Sequence, residues 1–302
     1  MGLKIVDAVS YVPDRTVDNS YFESYLDTTN EWIVQRTGIE KRHFSDLQVS
    51  EMVLNASKKL QIFNRESIKL VISATVTSDY VVPSLSALVH KELDLLEEVL
   101  SFDINMACTG FIGGLIVAES MLKVGEQAVI IGAEKLSNIV NFDDRATAML
   151  FGDGAAVTIV EKTNEKFSKV SGTVPSFDLK FINDGKSKVT MEGRNVYKFA
   201  TSVIPSGIDK LLSMNNINVC DIEHFVLHQA NLRIIESIVK KTGYKEKFFT
   251  NIQNMGNTSS ASIGLCLAEM KNKNILKNGD RALLFGFGGG LTYAGVIVEC
   301  GI

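Results

Sequence analysis

The chain has 302 residues, of which 45% are hydrophobic and 22% charged, and its formal net charge at pH 7 is −4. This length and apolar content can bury a large core, as one α/β unit or as two fused halves. The slightly acidic balance excludes the basic surface by which proteins hold nucleic acids, so no nucleic-acid partner is expected. No run approaches the roughly 18 apolar residues that a membrane span requires, so no membrane partner is expected either.

The N-terminal segment and the cysteines together predict a cytoplasmic location. The acidic residue Asp7 falls where a signal peptide would need an apolar run. Neither metal-ligand spacing nor a dense disulfide pattern is found among the four cysteines, Cys108, Cys220, Cys266 and Cys300. We therefore expect a soluble protein with reduced thiols and no metal site.

Hydrophobic periodicity predicts alternating strands and helices along the chain. Strands are predicted at residues 4–12, 68–75, 99–104, 128–132, 155–160, 222–227 and 248–252. Helices are predicted at residues 20–26, 29–36, 50–60, 83–93 and 196–214, and behind Cys108 and Asn257. Residues 161–188 are polar and mixed, which predicts a connection with weak strands.

Part of this pattern occurs twice. Residues 122–132 are echoed by residues 276–286, and residues 68–75 match residues 222–229, both 154 positions later. The strand at 155–161 has a counterpart at 293–299. Because the period is too long for a solenoid, the sequence indicates a duplicated domain. We expect two halves, residues 1–162 and 163–302, each of βαβαβ type and packed together as a layered α-β-α-β-α sandwich.

Cys108 follows the predicted strand 99–104 through a small turn, and Phe111, Leu115 and Ala118 behind it have helical spacing. A thiol at a helix N-terminus meets unpaired N–H groups and the positive end of the helix dipole. Its pKa can then fall from about 8.5 to roughly 3.5–7.5, which makes it a usable nucleophile. A small buried core residue is the alternative that this observation alone leaves open.

Two further residues lie where a site is expected. His228 falls at the carboxyl end of the strand 222–227, where ligand sites of α/β sheets gather. Asn257 follows the strand 248–252 and precedes a helix, so the duplication predicts that Cys108 and Asn257 occupy equivalent helix starts facing a common cavity. A surface histidine and a plain helix cap are the alternatives.

Three consecutive glycines, residues 288–290, separate two predicted strands near the C-terminus. Their backbone N–H groups are unobstructed, which suits an oxyanion hole. No Lys-Ser/Thr pair follows and no helix begins there, so this turn is not a phosphate loop.

Six motifs occur in one order along the chain. They include Asn-Met-Ala-Cys-Thr-Gly-Phe (105–111), His-Gln-Ala-Asn-Leu-Arg-Ile-Ile (228–235) and Gly-Asn-Thr-Ser-Ser-Ala-Ser (256–262), and the others are segments 27–40, 151–156 and 287–290. Together they resemble β-ketoacyl-acyl carrier protein synthase III, a condensing enzyme of the thiolase superfamily. The resemblance runs from Ile5 to Val298 and implies a thiolase-like fold with the catalytic triad Cys108, His228 and Asn257.

The resemblance also implies a mechanism. Cys108 takes an acyl group from acyl-CoA as a new thioester, and malonyl-acyl carrier protein then loses CO2 and condenses with it to begin fatty acid synthesis. His228 and Asn257 hydrogen-bond the enolate, the N–H groups of Cys108 and Gly289 form the oxyanion hole, and Phe287 assists decarboxylation. No cofactor is expected, because coenzyme A and the phosphopantetheine of the carrier protein belong to the substrates.

Substrate contacts follow from the same resemblance. Trp32 and Arg145 are expected to sandwich the coenzyme A adenine, and Arg36 to contact the pyrophosphate. A basic patch for the acidic carrier protein is expected at Arg233, Lys198, Lys240 and Lys241. An ordinary helix-packing role for the tryptophan and a solvated helix end for the lysines are the alternatives. A homodimer is also implied.

Three places depart from better-known members, and one of them is the segment from about residue 165 to residue 190, which is short. Arg194 stands where the family often has an asparagine that touches pantetheine, and Val82 stands where some members place a bulky aromatic that reaches into the acyl pocket of the partner subunit. A smaller Val82 predicts a roomier pocket and a primer longer than acetyl. An acyltransferase or specialised condensing enzyme of the same fold, serving a secondary pathway, is the main alternative. A non-catalytic partner of a condensing enzyme and a cysteine hydrolase are less consistent with the sequence.

Overall fold

The computed structural model describes residues 2–61 and 64–302. Its strands are β1 (Leu3–Tyr11), β2 (Thr16–Asp18), β3 (Lys41–His43), β4 (Ile68–Ala74), β5 (Leu100–Ile104), β6 (Gln127–Glu134), β7 (Gly154–Lys162), β8 (Lys169–Thr173), β9 (Leu179–Lys180), β10 (Thr190–Met191), β11 (His224–Leu227), β12 (Arg281–Gly288) and β13 (Thr292–Cys300). Its helices are α1 (Asn19–Glu23), α2 (Asn30–Thr37), α3 (Val49–Ser57), α4 (Leu85–Glu92), α5 (Gly110–Met121), α6 (Gly193–Asn215), α7 (Leu232–Thr242), α8 (Ile252–Met255) and α9 (Ser262–Asn272).

The two halves of the chain share one strand order. In the first half the order across the sheet is β5-β4-β6-β7-β1, and in the second it is β11-β12-β13-β8. Phe248 forms an isolated parallel bridge to Phe225 of β11, on the side where β5 lies in the first half. The halves meet where β1 runs parallel to β13, with Lys4 opposite Glu299. The prediction of a duplicated α/β architecture agrees with this order, and the boundary at residues 162 and 163 stays a prediction.

One predicted strand is wrong. Residues 248–252 were expected to form a strand, but only Phe248 bridges to the sheet and α8 already begins at Ile252. The ring of Phe248 also stacks on that of Phe225, with 4.6 Å between the ring centroids. Aromatic stacking therefore adds to the one bridge in holding this segment beside β11.

Helices and sheets alternate in five layers. Successive side chains of a strand point to opposite faces of the sheet. In β4 and β6, Ile72 and Ile130 therefore pack in the central core, whereas Val71 and Val129 pack against α3 and α4. Helices α5 and α9 fill the central layer between the two halves, and α6 and α7 cover β11, β12 and β13 on the outside. Because α5 lies between the two halves of the sheet, it is apolar nearly all round.

Each central helix is preceded by a short 3-10 turn, Ala107–Thr109 before α5 and Ser259–Ala261 before α9. The equivalence of these turns corrects the predicted pairing of Cys108 with Asn257. Cys108 is the middle residue of the first turn, and the middle residue of the second turn is Ser260. The predicted pairing was wrong because Asn257 lies two residues before its turn, outside the helix start.

Candidate active site

Cys108 lies in the turn before α5, 6% exposed. The neighbouring strand β12 approaches it closely at Gly288, where a β carbon would come within 2.9 Å of Cys108 Sγ. Only glycine fits at that position without displacing the thiol. The N–H groups of Gly289 and of Cys108 itself are directed at the sulfur.

The pKa of the Cys108 thiol is raised to about 11, mainly by burial and to a smaller extent by the nearby carboxyl group of Glu134. The hydroxyl of Ser259 and the N–H groups of Gly289 and Cys108 act in the opposite direction. The predicted lowering of this pKa is therefore wrong, because the helix start is buried and desolvation disfavours the thiolate.

His228 follows the end of β11, is 1% exposed and donates its backbone N–H to Phe285 O at 2.8 Å. Its ring nitrogen Nδ1 lies 2.7 Å from Ser262 Oγ. Burial lowers the pKa of His228 to about 3, so the ring is neutral near pH 7. The ring of Phe287 packs edge-on against it, with 5.2 Å between the ring centroids.

Asn257 is held on both sides by backbone contacts. Its N–H donates to Leu150 O at 2.8 Å, and its carbonyl accepts from Gly152 N at 3.0 Å. Its side-chain Oδ1 accepts from Ser259 N at 2.9 Å. The opposite end of the amide, Nδ2, is a donor that makes no hydrogen bond to any residue in the described part of the chain. The backbone of Ser259 thus decides which end of the Asn257 amide is available to a ligand.

The structure brings these three side chains to one cavity. Cys108, His228 and Asn257 line a cavity of about 520 Å³. Cys108 also lines a second cavity of about 680 Å³, together with the apolar side chains Leu136, Ile139, Phe151, Leu179, Phe181 and Val189. The thiol therefore lies where two cavities meet, and the second of them combines these apolar side chains with polar ones, among them Asn105, Lys180 and Asn183.

The first cavity contains the predicted coenzyme A residues. The Arg145 guanidinium lies 4.2 Å from the Trp32 ring centroid, and that of Arg36 lies 5.8 Å from it. In residues 2–61 and 64–302, four arginines and no acidic residue line this cavity: Arg36, Arg145, Arg194 and Arg233. An anionic ligand, such as a phosphorylated cofactor arm, fits this charge distribution.

The predicted docking residues lie together on α6 and α7. Arg233 lines the mouth of the first cavity, with its guanidinium 5.8 Å from the Tyr197 ring centroid. Lys198, Lys240 and Lys241 are exposed on the same two helices. The Lys241 ammonium donates to the carbonyl of Thr201, so it also links α7 to α6.

The remaining predicted residues are placed as follows. Phe287 is buried in β12 beside His228 and lines the first cavity, while Gly289 lines the second. Val82 is 83% exposed and lines neither of these two cavities.

Sequence reasoning missed three polar residues at the site: Glu134, Ser259 and Ser262. Glu134 is fully buried at the end of β6 and accepts from the hydroxyls of Thr77 at 2.6 Å and Ser260 at 2.8 Å. Burial raises the pKa of its carboxyl group, and these hydrogen bonds oppose that effect. An acid directly after an apolar strand was the signal that could have identified Glu134.

Among residues 2–61 and 64–302, no three His, Cys, Asp or Glu side chains come together as metal ligands. Every helix in this part of the chain is too short or too polar to cross a bilayer.

A buried cysteine, a neutral histidine and an oriented asparagine, assembled across two duplicated halves, define a condensing enzyme of the thiolase fold. Two family models match, 3-oxoacyl-[acyl-carrier-protein] synthase III over residues 102–177 and its C-terminal domain over residues 212–300. β-Ketoacyl-[acyl-carrier-protein] synthase III of Clostridium perfringens is 40% identical, with 98% of each chain covered. The chain therefore belongs to the β-ketoacyl-acyl carrier protein synthase III family.

Solved structures support the same assignment. The synthase III of Aquifex aeolicus matches with a TM-score of 0.92 and 34% identity, covering 99% of this chain and 100% of that one. The synthase III of Thermus thermophilus matches with a TM-score of 0.90 and 35% identity, covering 98% of both chains. The predicted thiolase-like fold and the predicted acyltransferase class of condensing enzyme are confirmed.

Proposed function

We propose that this enzyme loads an acyl group from acyl-CoA onto Cys108 and condenses it with malonyl-acyl carrier protein to begin fatty acid synthesis. One observation carries the proposal: Cys108 lies where two cavities meet. An acyl chain attached to the thiol extends along the apolar side chains of the second cavity, while the pantetheine arm occupies the first, arginine-lined cavity. Coenzyme A and the pantetheine of the carrier protein use this first cavity in turn.

The first step is a thioester exchange. Cys108 Sγ attacks the acyl carbon, the bond from that carbon to the coenzyme A sulfur breaks, and coenzyme A leaves as a thiol with the proton that Cys108 gave up. The oxyanion formed on the way accepts hydrogen bonds from the N–H groups of Cys108 and Gly289, which are directed at this sulfur.

The second step is a decarboxylation followed by a condensation. The bond from the malonyl carbon to its carboxylate breaks, CO2 leaves, and the electron pair becomes an enolate. His228 and Asn257 each donate one hydrogen bond to the enolate oxygen. The carbon then attacks the acyl thioester, the bond from the acyl carbon to Cys108 Sγ breaks, and the Cys108 thiolate takes up a proton from solvent. Phe287, packed against His228, gives the malonyl carboxylate an apolar neighbour that favours its loss.

Substrate binding uses the charged mouth of the first cavity. Trp32 and Arg145 hold the adenine, and Arg36 holds the pyrophosphate. For the carrier protein, the exposed cations of α6 and α7 form a complementary face for an acidic partner: Arg233, Lys198, Lys240 and Lys241. No cofactor enters either step, because coenzyme A and the phosphopantetheine arrive as parts of the substrates.

Two copies of the chain are expected to pair through β5. This strand is hydrogen-bonded to β4 alone among the described residues, so its other edge is open. Leu100 on β5 and Val81 and Val82 beside α4 are exposed apolar residues. Asp103 of β5 accepts from the N–H of Leu85 at 2.7 Å, which holds the start of α4 beside this edge. Light scattering should give a dimer, and Leu100→Lys should give a monomer; a monomeric wild type would contradict the proposal.

A primer panel tests the proposed reaction. The enzyme is incubated with acetyl-, butyryl- or octanoyl-CoA and malonyl-acyl carrier protein, and CO2 and the β-ketoacyl product are measured. We expect CO2 release that depends on the primer, with the longer primers favoured because Val82, which lines neither cavity of its own chain, puts a smaller side chain than an aromatic against the acyl pocket of the partner subunit. Loading without CO2 release for every primer would contradict condensation and indicate an acyltransferase of the same fold.

A further inference from the structure

Ser262 is a buried hydroxyl in direct contact with His228. It is the first residue of α9 and is 2% exposed. Its Oγ lies 2.7 Å from His228 Nδ1. In the part of the chain that the structure describes, this hydroxyl has no second hydrogen-bond partner.

This isolation determines which atom donates. A buried hydroxyl hydrogen needs an acceptor, and His228 Nδ1 is the one that the structure supplies. If Nδ1 carried the ring proton instead, the hydroxyl hydrogen of Ser262 would be buried without an acceptor. The hydroxyl therefore donates, Nδ1 accepts, and the proton of the neutral ring lies on Nε2.

We propose that Ser262 is a positioning residue that holds His228 in the tautomer with its proton on Nε2. The inference rests on the proposed function, in which His228 donates to the enolate. Ser262 then acts on His228 as the backbone of Ser259 acts on Asn257: each fixes the inner end of a side chain so that its outer end is a hydrogen-bond donor. The N–H groups of His228 and Asn257 are thus already oriented to donate to the enolate oxygen, so no side chain has to reorient during the reaction.

A consequence separates the two steps. A ring nitrogen that carries its proton cannot take one from Cys108, so His228 is not the base for acyl loading. Ser262 is therefore needed for decarboxylation and not for loading. A merely structural serine at the start of α9 would affect both steps together, through the stability of the turn.

The tautomer can be measured directly. In protein labelled with ¹⁵N-histidine, NMR distinguishes a protonated ring nitrogen from an unprotonated one, and the His228 signals are assigned by their loss in His228→Ala. We expect a protonated Nε2 and an unprotonated Nδ1 in the wild type. A protonated Nδ1 would overturn the proposal. In Ser262→Ala, the Nδ1 and Nε2 signals should shift towards a mixture of tautomers, whereas unchanged signals would overturn it.

Kinetics of the separate steps provide the second test. Loading is followed by intact mass with acyl-CoA alone, and decarboxylation by CO2 release from malonyl-acyl carrier protein with pre-loaded enzyme. A histidine held in the wrong tautomer can cost about 10⁴ in kcat, so we expect Ser262→Ala to slow CO2 release at least about tenfold while loading stays within about twofold. Ser262→Thr, which keeps the hydroxyl, should restore CO2 release.

Ser57→Ala is the matched control. Ser57 is an equally buried helical hydroxyl, bonded to Val53 O at 2.9 Å in α3 and remote from the site, so its loss should leave both steps unchanged. Equal slowing of both steps in Ser262→Ala, or no slowing of either, would overturn the proposal. Failure of the wild type to load any primer would instead overturn the proposed function, and the measured tautomer would still decide the role of Ser262.

Discussion

Ala107 and Ser259 share one left-handed backbone conformation, with φ of 45° and 47°, each at the first position of the turn that precedes a central helix. Residues other than glycine rarely adopt this conformation. Two residues earlier, Asn105 and Asn257 make the same contact, each accepting through Oδ1 from the N–H of the residue with positive φ, at 3.2 and 2.9 Å. The duplication thus produced two copies of one turn, and the site combines the cysteine of the first with the asparagine of the second.

The two glycines that pack under these turns should differ in their tolerance of a side chain. A β carbon at Gly132 would lie 2.3 Å from Ser260 O, whereas one at Gly286 would lie 3.2 Å from Thr109 Cα. We expect Gly132→Ala to lower the free energy of unfolding by about 3 kcal/mol and Gly286→Ala by about 1 kcal/mol or less. Urea denaturation measures both. Equal losses of unfolding free energy in the two variants would show that the turn Ser259–Ala261 does not pack on Gly132 as tightly as described.

The rate of acyl loading should rise with pH. Because the pKa of Cys108 is raised to about 11, the thiolate is a small fraction at pH 7 and grows about tenfold for each pH unit below that value. Initial loading rates from intact mass, at low acyl-CoA concentration, should therefore rise about tenfold per unit between pH 7 and 9. A rate that is flat over this range would show that the thiol is already ionised at pH 7 and would contradict the raised pKa.

Glu134→Gln should destabilise the protein although the two side chains have nearly the same shape. Both carboxyl oxygens accept hydrogen bonds, Oε1 from Ser260 and Oε2 from Thr77 and from Val76 N. An amide in either orientation turns its NH2 group towards one of these donors. We expect a loss of about 1–3 kcal/mol in the free energy of unfolding.

The matched control is Glu98→Gln, because Glu98 is a carboxylate with 64% of its side chain exposed in a loose ion pair with Lys69. This change should cost less than about 0.5 kcal/mol. If the Glu134 variant were as stable as the Glu98 variant, the buried hydrogen-bond network would contribute nothing measurable.

Arg145→Lys should weaken binding of coenzyme A thioesters specifically. A lysine cannot reproduce the planar stacking of the Arg145 guanidinium over Trp32. The KM for acyl-CoA should rise about 3- to 10-fold, as expected for the loss of a stacked cation–π contact, with little change in kcat. Acyl-pantetheine, which lacks the adenine, is the matched control substrate and should show no change. An equal rise in KM for both substrates would place Arg145 away from the adenine.

Local patterns predicted the fold and part of the site. Cys108 and His228 could be found because His228 directly follows a strand that is visible in the sequence and Cys108 follows another through a short turn. The partners that tune them could not, because they come from distant segments: Glu134 and Ser260 are 126 positions apart, and His228 and Ser262 are 34 apart. The pKa of Cys108 was predicted in the wrong direction for the same reason, since its burial depends on how the two halves close over the turn.

The position of the acyl group in the loaded enzyme tests the central claim most directly. Incubation with acyl-CoA, followed by intact mass and peptide mapping, should show one acyl group, on Cys108. Cys220 is an exposed free thiol, so the experiment is repeated in a Cys220→Ser background to exclude adventitious acylation. We predict that the added mass is unchanged in Cys220→Ser and absent in Cys108→Ala. An acyl group that persists on the enzyme in Cys108→Ala, Cys220→Ser would contradict the assignment of Cys108 as the nucleophile.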